Sequence, residues 1–172
     1  TACFINLFYC LICLTNLQYS ADNCGLEEGA KLAEVDNEYF NLENTSSSHV
    51  LLTLAAAGGG EVAEANDGSG LTFSKAFRPG GSAKNLTLTA KADITITVYY
   101  TSSDGKFNEQ PQNKSGNLTW QINGGAVNTD PDTSSKSGRT AYAVEIALNQ
   151  GDVCVLSTDS NRFVLFGIVA EW

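Results

Sequence analysis

The sequence predicts an all-β chain folded as an antiparallel β-sandwich, and three observations predict it. Between residues 85 and 100, Leu86, Leu88, Ala90, Ala92, Ile94, Ile96 and Val98 alternate with Thr87, Thr89, Lys91, Asp93, Thr95 and Thr97, the period of a strand with one dry and one wet face. Turn-forming runs such as Pro79-Gly-Gly, Asn123-Gly-Gly and Asn149-Gln-Gly-Asp recur at short intervals, as they do where short strands reverse on one another. Apolar residues are 42% of the chain and charged ones only 17%, so a core can be buried beneath a surface of Thr, Ser, Asn and Gly.

Taken in order, residues 2–14 are almost wholly apolar and uncharged, and too short for a membrane span of about 20 residues. The division is therefore an apolar segment, 1–20, and one sandwich domain, 21–172. The segment is either a signal peptide removed near Ala21 or a retained assembly strand, completing its own sheet or a neighbour's, that packs through Phe4, Ile5, Leu7, Phe8, Leu11, Ile12 and Leu14. Residues 25–43 are acidic, with Leu32 and Val35 at helical spacing, and read as a short helix or turn. Val50–Ala57 reads as a buried strand or small helix, broken by Gly58-Gly-Gly. Leu71–Phe77 is a strand, and residues 85–100 make two strands broken near Lys91, because strands average about five to six residues. Residues 101–116 form a long polar loop of the kind that carries binding sites. Leu118, Trp120 and Ile122 share one strand face before the turn at Asn123, and 128–138 is a second polar loop. Tyr142, Val144, Ile146 and Leu148 share another face, Val153–Leu156 follows, and Phe163–Trp172 closes the chain with a bulge at Gly167.

A net charge of −9, with ten Lys and Arg and no basic run, excludes a nucleic-acid partner. Cys10-x-x-Cys13 has no second pair to complete a metal site. Beyond the apolar segment only Cys24 and Cys154 remain, an even number that predicts one disulfide. His49 is the single histidine and reads as a surface residue beside a Ser-rich loop, so no nucleophile and base set is present and the chain reads as a non-enzyme. Calcium is the one cofactor considered, at Asp130-Pro-Asp132 or around Glu64, Asn66 and Asp67, where turn formation is the competing role of Asp. Tyr99, Tyr100, Trp120 and Trp172 are the aromatic platforms a sugar ring would stack on. Of these, Tyr99 is favoured because it lies on the Thr face, and the alternation around Trp120 assigns that residue to the core. Asn44, Asn85, Asn113 and Asn117 each open an N-glycosylation triplet.

The runs Lys84–Tyr100, Tyr142–Ser157 and Phe166-Gly-Ile-Val169 resemble the non-catalytic jelly-roll modules found beside secreted bacterial polysaccharide lyases and in bacterial surface proteins. The resemblance covers residues 71–172 and implies a jelly-roll-like sandwich at the cell surface or outside the cell. Two functions are consistent with it. One is a structural or adhesive subunit, pilus-like or fibre-like, that forms a homo-oligomer or polymer through its N-terminal strand. The other is a carbohydrate-binding module with a cleaved signal peptide, which binds polysaccharide through Tyr99 and the two polar loops.

Overall fold

The computed structural model describes residues 17–45, 48–55, 61–80, 85–103, 116–132, 134–160 and 162–172. The assembly residues Phe4 to Leu14, Cys10, Cys13, Asn113 and most of the first polar loop lie outside that set. The described strands are β1 (Leu17–Ser20), β2 (Val35–Asp36), β3 (Phe40–Glu43), β4 (His49–Thr53), β5 (Ala63–Ala65), β6 (Thr72–Phe73), β7 (Lys75–Pro79), β8 (Leu86–Ala90), β9 (Ile94–Ser103), β10 (Leu118–Ile122), β11 (Val127–Thr129), β12 (Thr140–Leu148), β13 (Val153–Thr158) and β14 (Arg162–Glu171). They build a sandwich of two sheets. One runs β4-β7-β14-β9-β12-β5-β6 with β1 added on β14, and the other runs β11-β10-β13-β8-β3-β2. All pairings are antiparallel except β12 with β5. No helix among the described residues is long and apolar enough to cross a membrane.

The alternation of residues 85–100 is used as two strands in opposite sheets. Leu86 and Leu88 of β8 and Ile94, Ile96 and Val98 of β9 point into one shared core, with the turn at Lys91 to Asp93 between them. Residues 25–43 are not helical. Phe40 and Leu42 are buried on β3, which pairs with β8, and Lys31 bridges to Val50. The two-residue spacing of Phe40 and Leu42 and their long-range pairing override a weak helical pattern.

β14 is buried on both faces and changes phase in the middle. Phe163 and Leu165 face the main core and Val164 and Phe166 a second cluster; past the bulge, Ile168 and Ala170 are the residues that reach the main core. A bulge inserts one residue and so swaps which parity faces which side. Gly167 sits there because a Cβ would come within 2.9 Å of the Tyr19 carbonyl oxygen and 3.1 Å of the Ser20 Cβ.

That close approach is made by β1, whose residues Leu17 to Ser20 pair with Ala170 to Gly167. Tyr19 stacks on Phe77 with ring centroids 6.3 Å apart, and Ala21, fully buried, donates its N–H to the Phe166 carbonyl at 2.9 Å. The stretch that follows the apolar run therefore pairs within its own chain's sheet, and among the described residues the sandwich already includes Leu17–Ser20, which the division at residue 21 assigns to the apolar segment.

Candidate functional site

The site is a consequence of where β12 ends its pairing. Tyr142 to Leu148 pair with Tyr100 to Ile94 of β9, so Tyr142, Val144, Ile146 and Leu148 all point inward. On its other side β12 meets β5 only at Thr140 and Ala141. Asn66 extends that contact by one step: its N–H donates to the Ala141 carbonyl at 3.1 Å and its Oδ1 accepts the Ala143 N–H at 3.0 Å. Among the described residues no strand covers β12 beyond this point. The backbone groups of Glu145 and Ala147, on the same side as those of Ala143, face an open edge.

Opposite that edge stands β10. It is held to β11 by a tight turn in which Asn123 and Gly124 both have positive φ, 52° and 68°, and Gly125 N–H donates to the Ile122 carbonyl at 2.8 Å. This Asn-Gly pair suits a hairpin because both central residues must adopt the left-handed region. Trp120 lies on the inner face of β10, as the alternation predicts, and packs against the main core. It is only half-buried, because past Ala143 no described strand continues the facing sheet beyond β12, which leaves the inner face open at the side.

The opening is a cleft of about 380 Å³, within the size range of small-ligand sites. Trp120, Asp130 and Pro131 line one side, and Thr97 and residues 143–145 of β12 the other, with Asp67 from the β5–β6 turn completing it.

A buried polar network fixes the Asp130 wall. Tyr100 donates its hydroxyl to Asp130 Oδ2 at 2.6 Å and accepts the Leu118 N–H at 3.0 Å. Lys136 is fully buried, with Nζ 3.4 Å from Asp130 Oδ2, 2.8 Å from both Asp132 Oδ2 and the Asp132 carbonyl, and 4.4 Å above the Tyr142 ring. The Lys136 hydrogen bond, helped by Ser134, holds the Asp132 carboxyl down at about 2. Burial, then the bond to Asp130, pushes the Tyr100 phenol well above its ordinary range. Sequence reading did not single out Lys136, since nothing in the run Asn128 to Gly138 marks one lysine of a polar loop as turned inward.

Asp130 and Asp132, considered as calcium ligands with turn formation as the competing role, both face the Lys136 ammonium. At the other calcium candidate, Asn66 is engaged on β12, and Asp67 accepts the Ser69 N–H at 2.9 Å and the Tyr99 hydroxyl at 2.8 Å. Among the described residues no group of three or more His, Cys, Asp or Glu side chains is placed to hold a metal ion.

Two of the predicted sugar platforms are not available. Tyr99 does lie on the Thr face, but that end of the face is roofed by β5 and β6. The residue is buried beside Phe73, 5.4 Å between ring centroids, and burial and the Asp67 bond push its phenol up to about 12. Tyr100 is a core residue of the Asp130 network. Trp172 is exposed, packs edge-on against Tyr39 at 4.3 Å and does not line the cleft. Trp120, assigned to the core, is the aromatic that does.

Cys24 and Cys154 are free thiols, not a disulfide. Cys24 donates to the Ala21 carbonyl in the turn after β1, while Cys154 is buried on β13, where burial, then Asp152, pushes its thiol up to about 12. Among the triplets, Asn85 is exposed, and Asn44 and Asn117 are half-buried.

His49 is also not a surface residue. It is fully buried on β4, where Nε2 meets the Phe163 carbonyl at 3.0 Å and Nδ1 has no hydrogen-bond partner among the described residues. Burial pulls its pKa down to about 4, against the opposing effect of the Phe163 bond. Folding therefore favours neutral His49. This contribution is complete above the unfolded value of 6.5 and is lost as pH falls toward about 4, a change of roughly 3 kcal/mol. Urea midpoints across that window should fall more steeply for the wild type than for His49→Gln, and parallel curves would contradict the assignment.

No family model and no curated protein matches the chain. Among solved structures it is similar to one from a study titled as showing that the complexity of the Ruminococcus flavefaciens cellulosome reflects an expansion in glycan recognition (13% identity, 91% of this chain and 92% of that one, TM-score 0.45). It is also similar to the family 35 carbohydrate binding module from Clostridium thermocellum (13%, 91% and 98%, 0.35). A third similar structure is an exo-β-1,3-galactanase from Phanerochaete chrysosporium with β-1,3-galactotriose (17%, 91% and 29%, 0.40), so the chain spans under a third of that enzyme. Likeness at these TM-scores carries nothing over to the ligand or activity of this chain.

Proposed function

We propose that the chain is a non-catalytic carbohydrate-binding module that takes a sugar in the cleft between β10 and β12. The observation that supports this most is the half-buried Trp120 walling a cavity of about 380 Å³ whose other lining is Pro131, the acidic residues Asp67, Asp130 and Glu145, Thr97 and the edge of β12. A sugar ring has an apolar face to stack on an indole and hydroxyls that donate to Asp67, Asp130 and Glu145 or exchange hydrogen bonds with Thr97 and the β12 backbone. The indole is held in place from behind by the core, and Asp130 by Tyr100 and Lys136, so little has to be ordered on binding.

Affinity electrophoresis in gels containing neutral polysaccharides, such as xylan, glucan or galactan, tests the reading. At least one should retard the wild type, and Trp120→Ala should weaken that retention about tenfold or more. Tyr99→Phe, which keeps the buried ring, should retain most of the binding. Unchanged retention in folded Trp120→Ala would contradict the site.

A further inference from the structure

We infer that the cleft selects its sugar by charge, with amino sugars preferred over neutral ones and uronates rejected. This rests on the carbohydrate-binding reading above and adds the ligand class to it.

Three acidic residues, Asp67, Asp130 and Glu145, line the cavity, and among the described residues no Lys or Arg does. Asp130 is already answered by buried Lys136, which has no exposure through which to reach a ligand. Asp67 and Glu145 remain. No salt bridge reaches either among the described residues, and Glu145 is exposed on β12. Burial alone would raise the Asp67 carboxyl, but the hydrogen bonds it accepts from Ser69 and Tyr99 outweigh this and hold it below the usual carboxylate range, so it is ionised at neutral pH.

An anionic sugar would bring a carboxylate into a solvent-open cleft beside two exposed carboxylates with no salt-bridge partner among the described residues, on a chain of net charge −9. Like charges a few ångströms apart repel there. A sugar ammonium meets the opposite situation: two carboxylates that accept its N–H groups, and an indole face that attracts cations. A neutral sugar gains the stacking and hydroxyl bonds without the charge term.

The matched test uses three oligosaccharides of equal length: a glucosamine oligomer, its fully N-acetylated counterpart and an oligogalacturonate. Titration calorimetry is run at mildly acidic pH, where the free amine is protonated, and folding is checked by circular dichroism. The glucosamine oligomer should bind about fivefold to tenfold tighter than the acetylated one, and the oligogalacturonate should not bind measurably. Glu145→Gln should remove most of the gap between the first two, and added salt should narrow it. Equal affinity for the charged and acetylated oligomers, or tight binding of the uronate, overturns the charge selection while leaving the sugar site standing. Absence of binding to all three and to neutral polysaccharides overturns both.

Discussion

Lys136→Ala should lower the unfolding free energy by about 3–5 kcal/mol, because it leaves Asp130 buried and charged with no counterion. Asp130 is only 6% exposed, so water from the adjoining cleft replaces the missing ammonium only in part, and the Tyr142 ring loses its cation as well. Asp132 is less affected, since its side chain is 44% exposed. The double variant Lys136→Met with Asp130→Asn removes both charges at similar volume and should recover most of the loss, as replaced buried pairs do when their volume is kept. Chemical denaturation of the three proteins measures it. A single-variant loss below about 1 kcal/mol would mean that Lys136 is solvated in the folded state.

Removing β1 should cost a comparable amount. A chain that begins at Ala21 lacks the pairing of Leu17–Ser20 with β14 and the Tyr19 ring on Phe77, while a chain that begins at Leu17 keeps both. The difference in unfolding free energy between the two is expected to be about 2–4 kcal/mol: about 1.5–3 kcal/mol from burying a large side chain, with the ladder hydrogen bonds adding to it. Equal denaturant midpoints would show that β1 adds nothing to the sheet. The result also bears on processing, because a cut near Ala21 would remove a strand from a sandwich that uses it.

The fold was legible because period-two alternation and glycine punctuation are local signals. The strands at 86–90, 94–100 and 142–148, the Asn123-Gly124 turn and the Gly167 bulge all follow from them, whereas Thr101–Ser103, read as the start of a polar loop, extend β9. The site was less legible because burial on the outer face of a sheet depends on what crosses it. Tyr99 sits among threonines in sequence, yet β5 and β6 lie over it. Trp120 sits among core residues in sequence, yet the facing sheet stops short of it. His49 and Lys136 carry no sequence mark of burial, since their surroundings come from strands and loops distant along the chain, such as β14 for His49. The expected Cys24–Cys154 bond rested on counting cysteines, and a count holds no geometry.

Tryptophan fluorescence tests the central claim most directly, since the chain has two tryptophans and one of them lines the cleft. In a Trp172→Phe background the emission reports Trp120 alone. Titration with a glycan that retards the wild type should shift or quench that emission along a saturable curve, at the affinity found by calorimetry. Saturable binding of the same glycan with no change in Trp120 emission would place the sugar elsewhere on the molecule and contradict the account.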